Sequence, residues 1–154
     1  MNAKYLAITA IVLWVGTAAF VGFKFISGTT VTATDGRQAI VLEPAERDFI
    51  LGEMRGFLVA VQEIISAANQ NNMDSVKETA HRVGRAEVEG VPPETMLKLP
   101  MAFKQLGMST HEGFDEVGLA AEIGPEAVME ALDTNLGKCI ACHESYRLTV
   151  SGQE

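Results

Sequence analysis

The hydrophobic positions of this chain fall into three regimes. From Tyr5 to Phe23 the stretch YLAITAIVLWVGTAAFVGF carries no charge, with Lys4 before it and Lys24 after it. As a helix rising about 1.5 Å per residue it reaches about 28 Å, close to the hydrocarbon thickness of a bilayer. A cleaved secretory signal has a shorter apolar core, about 7–15 residues, and a small-x-small cleavage site. This run is longer, and GTAAF is a poor site. Residues 1–26 are therefore expected to form an uncleaved transmembrane anchor. Residues 27–42 open with SGTTVTATDGRQ, which is small, polar and β-branched without helical period. They predict a tether.

From Glu43 onward the period becomes helical. Ile50, Leu51, Met54, Leu58, Val61, Ile65 and Ala68 recur at three- and four-residue steps, which predicts one apolar stripe on a long helix. Pro44 suits its first turn and NQNN (69–72) ends it. A second helix is expected from Ser75, where SVKE has capping-box spacing with Glu78, to about Val88, before GVPP. A third helical region spans about Pro93 to Ala121, split at Pro100, with Phe103, Gly107, His111, Phe114 and Gly118 on one face. Gly124–Pro125 stops it and starts the last helix, whose stripe is Val128, Leu132, Leu136, Cys139, His143 and Tyr146. Four amphipathic helices joined by short breaks predict an all-α fold: an antiparallel four-helix bundle over residues 43–154, preceded by one transmembrane helix.

The formal charge of the 154-residue chain is −8. Nucleic acid is thereby disfavoured as a partner, because a phosphate-binding surface needs a basic patch. No Ser-His-Asp set or phosphate-cradling glycine loop is present, so the chain is not expected to be an enzyme. Glu43, Glu46, Glu53 and Glu63 read as solvation of helix faces.

The distinctive chemistry lies in GKCIACHESYRL, residues 137–148, which holds both cysteines. C-x-x-C-H is the attachment pattern of c-type haem, met here as Cys139, Cys142 and His143. Residues three apart share one helix face, so both thiols can form thioethers with the vinyl groups of a single haem. The following histidine can then bind the iron axially. A thioredoxin-like pair would sit near a βαβ unit. A zinc site wants four ligands, and only His81 and His111 remain. A plain disulfide leaves the adjacent histidine unexplained. One covalent haem c is the expected cofactor. Such attachment takes place outside the cytoplasm, so the domain is expected in the periplasm, anchored to a bacterial inner membrane.

The site sits in the last helix and reads CIACHESYR, which resembles the class II cytochromes c, the cytochrome c-prime family, over about residues 43–149. The resemblance implies that Cys139 and Cys142 carry the thioethers and His143 is the proximal ligand. It also implies that Tyr146 packs near the haem and that Arg147 lies beside the proximal pocket or a propionate. In this family the first bundle helix supplies the distal side, apolar in high-spin members and methionine in low-spin ones. Met54 is the first candidate for the sixth iron position. Leu51, one turn earlier, would instead leave it vacant; His111, in STHEGFDE, is the third candidate and Met108 a weaker one. His81, flanked by charges, is expected to be exposed. The expected function is electron transfer by a membrane-anchored monohaem cytochrome, as a carrier or as a subunit of a membrane redox complex, with protein redox partners. The alternative is a five-coordinate protein that binds nitric oxide or carbon monoxide.

Overall fold

The computed structural model of the chain describes residues 3–85 and 90–152. The order of elements is α1 (Ala3–Ser27), β1 (Thr30–Thr32), β2 (Gln38–Leu42), α2 (Pro44–Asn69), α3 (Met73–Arg82), α4 (Pro93–Lys98), α5 (Met101–Ala120), α6 (Pro125–Ser145) and β3 (Tyr146–Val150). The fold is mostly helical, as the periodicity implies. α1 is long and apolar enough to cross a membrane, and none of its residues is buried against the rest of the chain.

The expectation of an all-α fold needs correction. A three-stranded sheet joins two segments far apart in sequence: β1 pairs antiparallel with β2, and β2 pairs parallel with β3 from Gln38↔Tyr146 to Leu42↔Val150. Residues 27–42 are thus no free tether. The apolar run Ala39-Ile40-Val41-Leu42 places Ala39, Ile40 and Leu42 in the core, each 1% exposed or less. Burying the side chains of Ile40 and Leu42 contributes about 1.5–3 kcal/mol each. Tyr146 likewise leaves the predicted helix stripe, and Arg147 follows it into β3. α6 ends at Ser145 and the chain turns extended, Tyr146 having φ −128° and ψ 153°.

Helix ends follow local chemistry, with one shift. Pro44 occupies the first turn of α2, and the Glu43 N–H donates to Glu46 Oε2 at 2.8 Å. Pro100 separates α4 from α5, and Leu99 before it is extended, as a pre-proline residue prefers. The start of α3, however, is not Ser75. Asn72 is the cap, its side chain accepting from the Ser75 N–H at 3.2 Å, so Ser75 lies inside the helix. α3 ends at Arg82, earlier than expected; Val88 lies outside the described residues.

Two cores result. The larger draws on α2, α3, α5 and α6 and includes Ala60, Ile64, Val76, Phe114, Val117, Val128 and Leu132. Val61, Ile65 and Ala68 of the predicted α2 stripe pack on it, joined by Phe57, Ala60 and Ile64 beside the stripe, while Leu58 departs from expectation at 70% exposed. α5 and α6 meet closely at Gly113, where an added methyl would overlap the amide of Asn135. Asn135 Nδ2 donates to the Thr110 carbonyl at 3.2 Å, and its buried Oδ1 has no hydrogen-bond partner among the described residues. The smaller core joins the sheet to the helices through Ile40, Leu42, Ile50, Leu99 and Phe103.

At the edge of the smaller core, Glu46 Oε2 accepts from Lys98 Nζ at 2.7 Å, and the Glu46 side chain is only 13% exposed. Burial pushes its carboxyl up, but hydrogen bonds from Lys98 and the Glu43 N–H outweigh this and hold it below the ordinary value. The charged form is therefore favoured by folding. Its contribution is present above the carboxylate range and is lost as pH falls through it. Glu46→Gln should cost about 1–2 kcal/mol at neutral pH. In denaturant unfolding, the gap between variant and wild type should narrow from about pH 7 to about pH 3.

Candidate functional site

α6 carries the C-x-x-C-H motif in its last two turns. Cys139 and Cys142 are free thiols and half-buried, whereas His143 is exposed. Burial pushes both thiols above their ordinary pKa, so they are protonated at neutral pH. Cys139 Sγ lies 3.8 Å from the Asn135 carbonyl, one turn back.

Two cavities open beside this helix end. The larger, about 230 Å³, is lined by α2 through Arg47, Leu51 and Met54, by α5 through Phe103, by Cys142 and His143, and by residues of β3. The smaller, about 100 Å³, extends past Ile50, Phe57 and His111 to Cys139. Met54, Phe103, Cys142 and His143 line both. The two cavities adjoin at these four residues and together form the cleft between α2, α5 and α6, with His111 lining the smaller and arginines the larger.

The two cavities differ in character. At the first, His111 is buried, its Nδ1–H donating to the carbonyls of Val83 (2.9 Å) and Gly84 (3.2 Å), with its ring edge-on to Phe57 at 4.9 Å. At the other, the β1–β2 turn brings Arg37 to the end of α6. Its Nη1 donates to the carbonyls of His143 (3.1 Å) and Tyr146 (3.4 Å), and its Nη2 to Asp35 Oδ2 at 2.7 Å. Arg147 Nη1 is 3.7 Å from the same carboxylate. Hydrogen bonds from the Arg37 side chain and backbone hold the Asp35 carboxyl below its usual range. Tyr146 stands edge-on to Phe103, ring centroids 5.4 Å apart, and burial raises its phenol pKa.

Cys142, His143, Met54, Leu51, Tyr146 and Arg147 line the larger cavity, and Cys139, Cys142, His143, Met54 and His111 line the smaller. The structure leaves His81 exposed, its Nδ1 3.7 Å from Asp115 Oδ1, and Met108 outside the cleft. Sequence reasoning missed Arg37, Arg47 and the walling role of Phe103. Arg47 was legible in principle, four residues before Leu51 and seven before Met54 on one helix face. Arg37 was not, because a turn over a hundred residues away delivers it.

The donor set suits a haem c. Two thiols three residues apart and the next imidazole border an apolar cleft whose opposite wall offers a thioether, and cationic side chains gather at one end of it. Among the described residues, no three His, Cys, Asp or Glu side chains converge as a cage for a bare metal ion.

Phe103 is 8% exposed and serves both the small core and the cleft. Phe103→Ala should destabilise the fold by about 3 kcal/mol. Chemical denaturation in detergent micelles measures this, and a cost well under 1 kcal/mol would mean that the ring is not packed as described.

Comparison of the chain with family models, curated proteins and solved structures found no match.

Proposed function

We propose that this protein is a membrane-anchored monohaem c-type cytochrome that transfers electrons on the periplasmic side of a bacterial inner membrane. One observation carries the reading: the C-x-x-C-H motif borders two adjoining cavities that share Cys142, His143, Phe103 and Met54 in their walls. In this reading Cys139 and Cys142 would hold the haem through thioethers, and His143 and Met54 would be the ligands of its iron. When bound, the haem supplies one-electron chemistry at an iron cycling between ferrous and ferric. The chain's residues set its conditions. The thioether of Met54 favours the reduced state relative to a second imidazole. Ile50, Leu51 and Phe103 give the cavities apolar walls. Arg37, Arg47 and Arg147 offer positive charge to propionates. The helices α2, α3, α5 and α6 are read as the four-helix bundle of the cytochrome c-prime family, with the sheet as an addition to it.

Met54 is preferred over His111 because it lines both halves of the cleft, whereas His111 lines only the inner one. A second reading, capture of nitric oxide or carbon monoxide at a vacant distal position, draws on Leu51, which also lines the larger cavity.

The test is production of the full chain in a host with haem c maturation machinery. The expected product carries haem that survives acid–acetone extraction, with a c-type pyridine haemochrome spectrum. Replacing both Cys139 and Cys142 with serine should abolish that retention. The oxidised wild type should be low-spin with a methionine–iron charge-transfer band, and its reduced form should ignore carbon monoxide. Met54→Ala should turn it high-spin and responsive to the gas. A wild type that is already high-spin hands the function to the gas-binding reading.

A further inference from the structure

The junction between α1 and the rest of the chain contains no slack. α1 ends at Ser27, and the next residue, Gly28, has φ +65° and packs backbone to backbone against the α4–α5 corner. A methyl group on Gly28 would lie 2.5 Å from the Lys98 carbonyl oxygen and 2.6 Å from Pro100 N. Only glycine accepts both the left-handed conformation and the close approach. The Thr29 N–H donates to the Lys98 carbonyl at 2.8 Å, and the Thr29 carbonyl accepts from the Val41 N–H at 2.9 Å. One turn back, Lys104 Nζ donates to the Phe25 carbonyl at 2.7 Å and sits 3.6 Å over the Phe25 ring. A flexible tether has none of these ties; here the last turn of the apolar helix is fixed by α4, α5 and the sheet at once.

The same corner borders the cleft. Lys104, which grips α1, directly follows Phe103, which lines both cavities. The opposite end of α5, leading to the exposed Ile123, is about 30 Å away along a 20-residue helix. The candidate site therefore occupies the α1-proximal end of the helical domain, and the larger core the far end.

We infer that α1 and the helical domain are one rigid body whose α4 corner rests on the lipid headgroup surface, holding the cleft at the membrane-facing end of the domain. The inference rests on the membrane-spanning reading of α1 but not on the haem. The occupant of this face is lipid, because the helix that spans the bilayer emerges against it with no intervening linker. Exposed Leu97 on α4, beside the junction, is then an interfacial residue. A cleft held so low is presented to partners moving in the same membrane.

Nitroxide labels at Leu97→Cys and, separately, at Ile123→Cys test this in the full chain, reconstituted in phosphatidylcholine/phosphatidylglycerol vesicles. Cys139 and Cys142 are either haem-bound or replaced with serine. Power-saturation EPR should show the Leu97 label several-fold less accessible to a water-soluble nickel chelate than the Ile123 label. A flexible Gly/Ser insert between Ser27 and Gly28 should raise the Leu97 value to that of Ile123. Equal accessibility without the insert, or protection that survives it, overturns the inference. Absence of covalent haem from the chain that keeps Cys139 and Cys142, alongside the expected label pattern in the serine variant, would refute the cytochrome reading alone.

Discussion

The parallel pairing of β2 with β3 is the constraint on which the rest of the molecule depends. It ties the segment that leaves the apolar helix to the residues that follow His143, joining the two ends of the domain through one ladder. Because β2 is central, its backbone is satisfied on both sides, and its apolar residues seal the smaller core. The pairing draws the β1–β2 turn to the end of α6, where Arg37 meets the His143 and Tyr146 carbonyls. Tyr146, turned out of the helix by the strand, then stands against Phe103. The outer half of the cleft is a product of this one register.

The two cores divide the work. The larger is filled by small and β-branched side chains with Phe114 and Leu132 among them, which suits a stability role. The smaller is bordered by half-buried Met54, Cys142 and Tyr146, which lean on it while facing the cleft. Apolar walls left open beside a few convergent polar groups are the usual form of a cofactor site. The helical frame thus supplies rigidity, while the sheet and the α4–α5 corner shape both the site and its approach from α1.

The helical elements were legible because their signals are local: a 3.6-residue period, Pro44, Pro100 and Pro125 at helix starts, and a polar break at NQNN. The errors were also local ambiguities. Asn72 and Ser75 both suit a cap, and only the fold shows which residue turns the chain. Leu58 fits the predicted stripe, yet the neighbouring helices sit on the side of Phe57 and Ala60. The apolar run at 39–42 was a strand signal absorbed into a tether, because its partner lies more than a hundred residues away.

By itself the sequence determined the helix pattern, the apolar N-terminal helix and the grouping of Cys139, Cys142 and His143 on one helix end, since spacing of three or four residues along a helix decides which side chains share a face. Tertiary structure decided what that group faces. It chose Met54 and Phe103 for the walls that both cavities share, placed His111 in the smaller, and brought Arg37 and Arg147 to the larger. It also replaced an expected tether with a fixed junction at Gly28 and Lys104. The physical reason is range: helix faces follow from neighbours within a turn, whereas strand register and helix–helix contact are set by side chains and backbone groups that meet only once the chain has closed on itself.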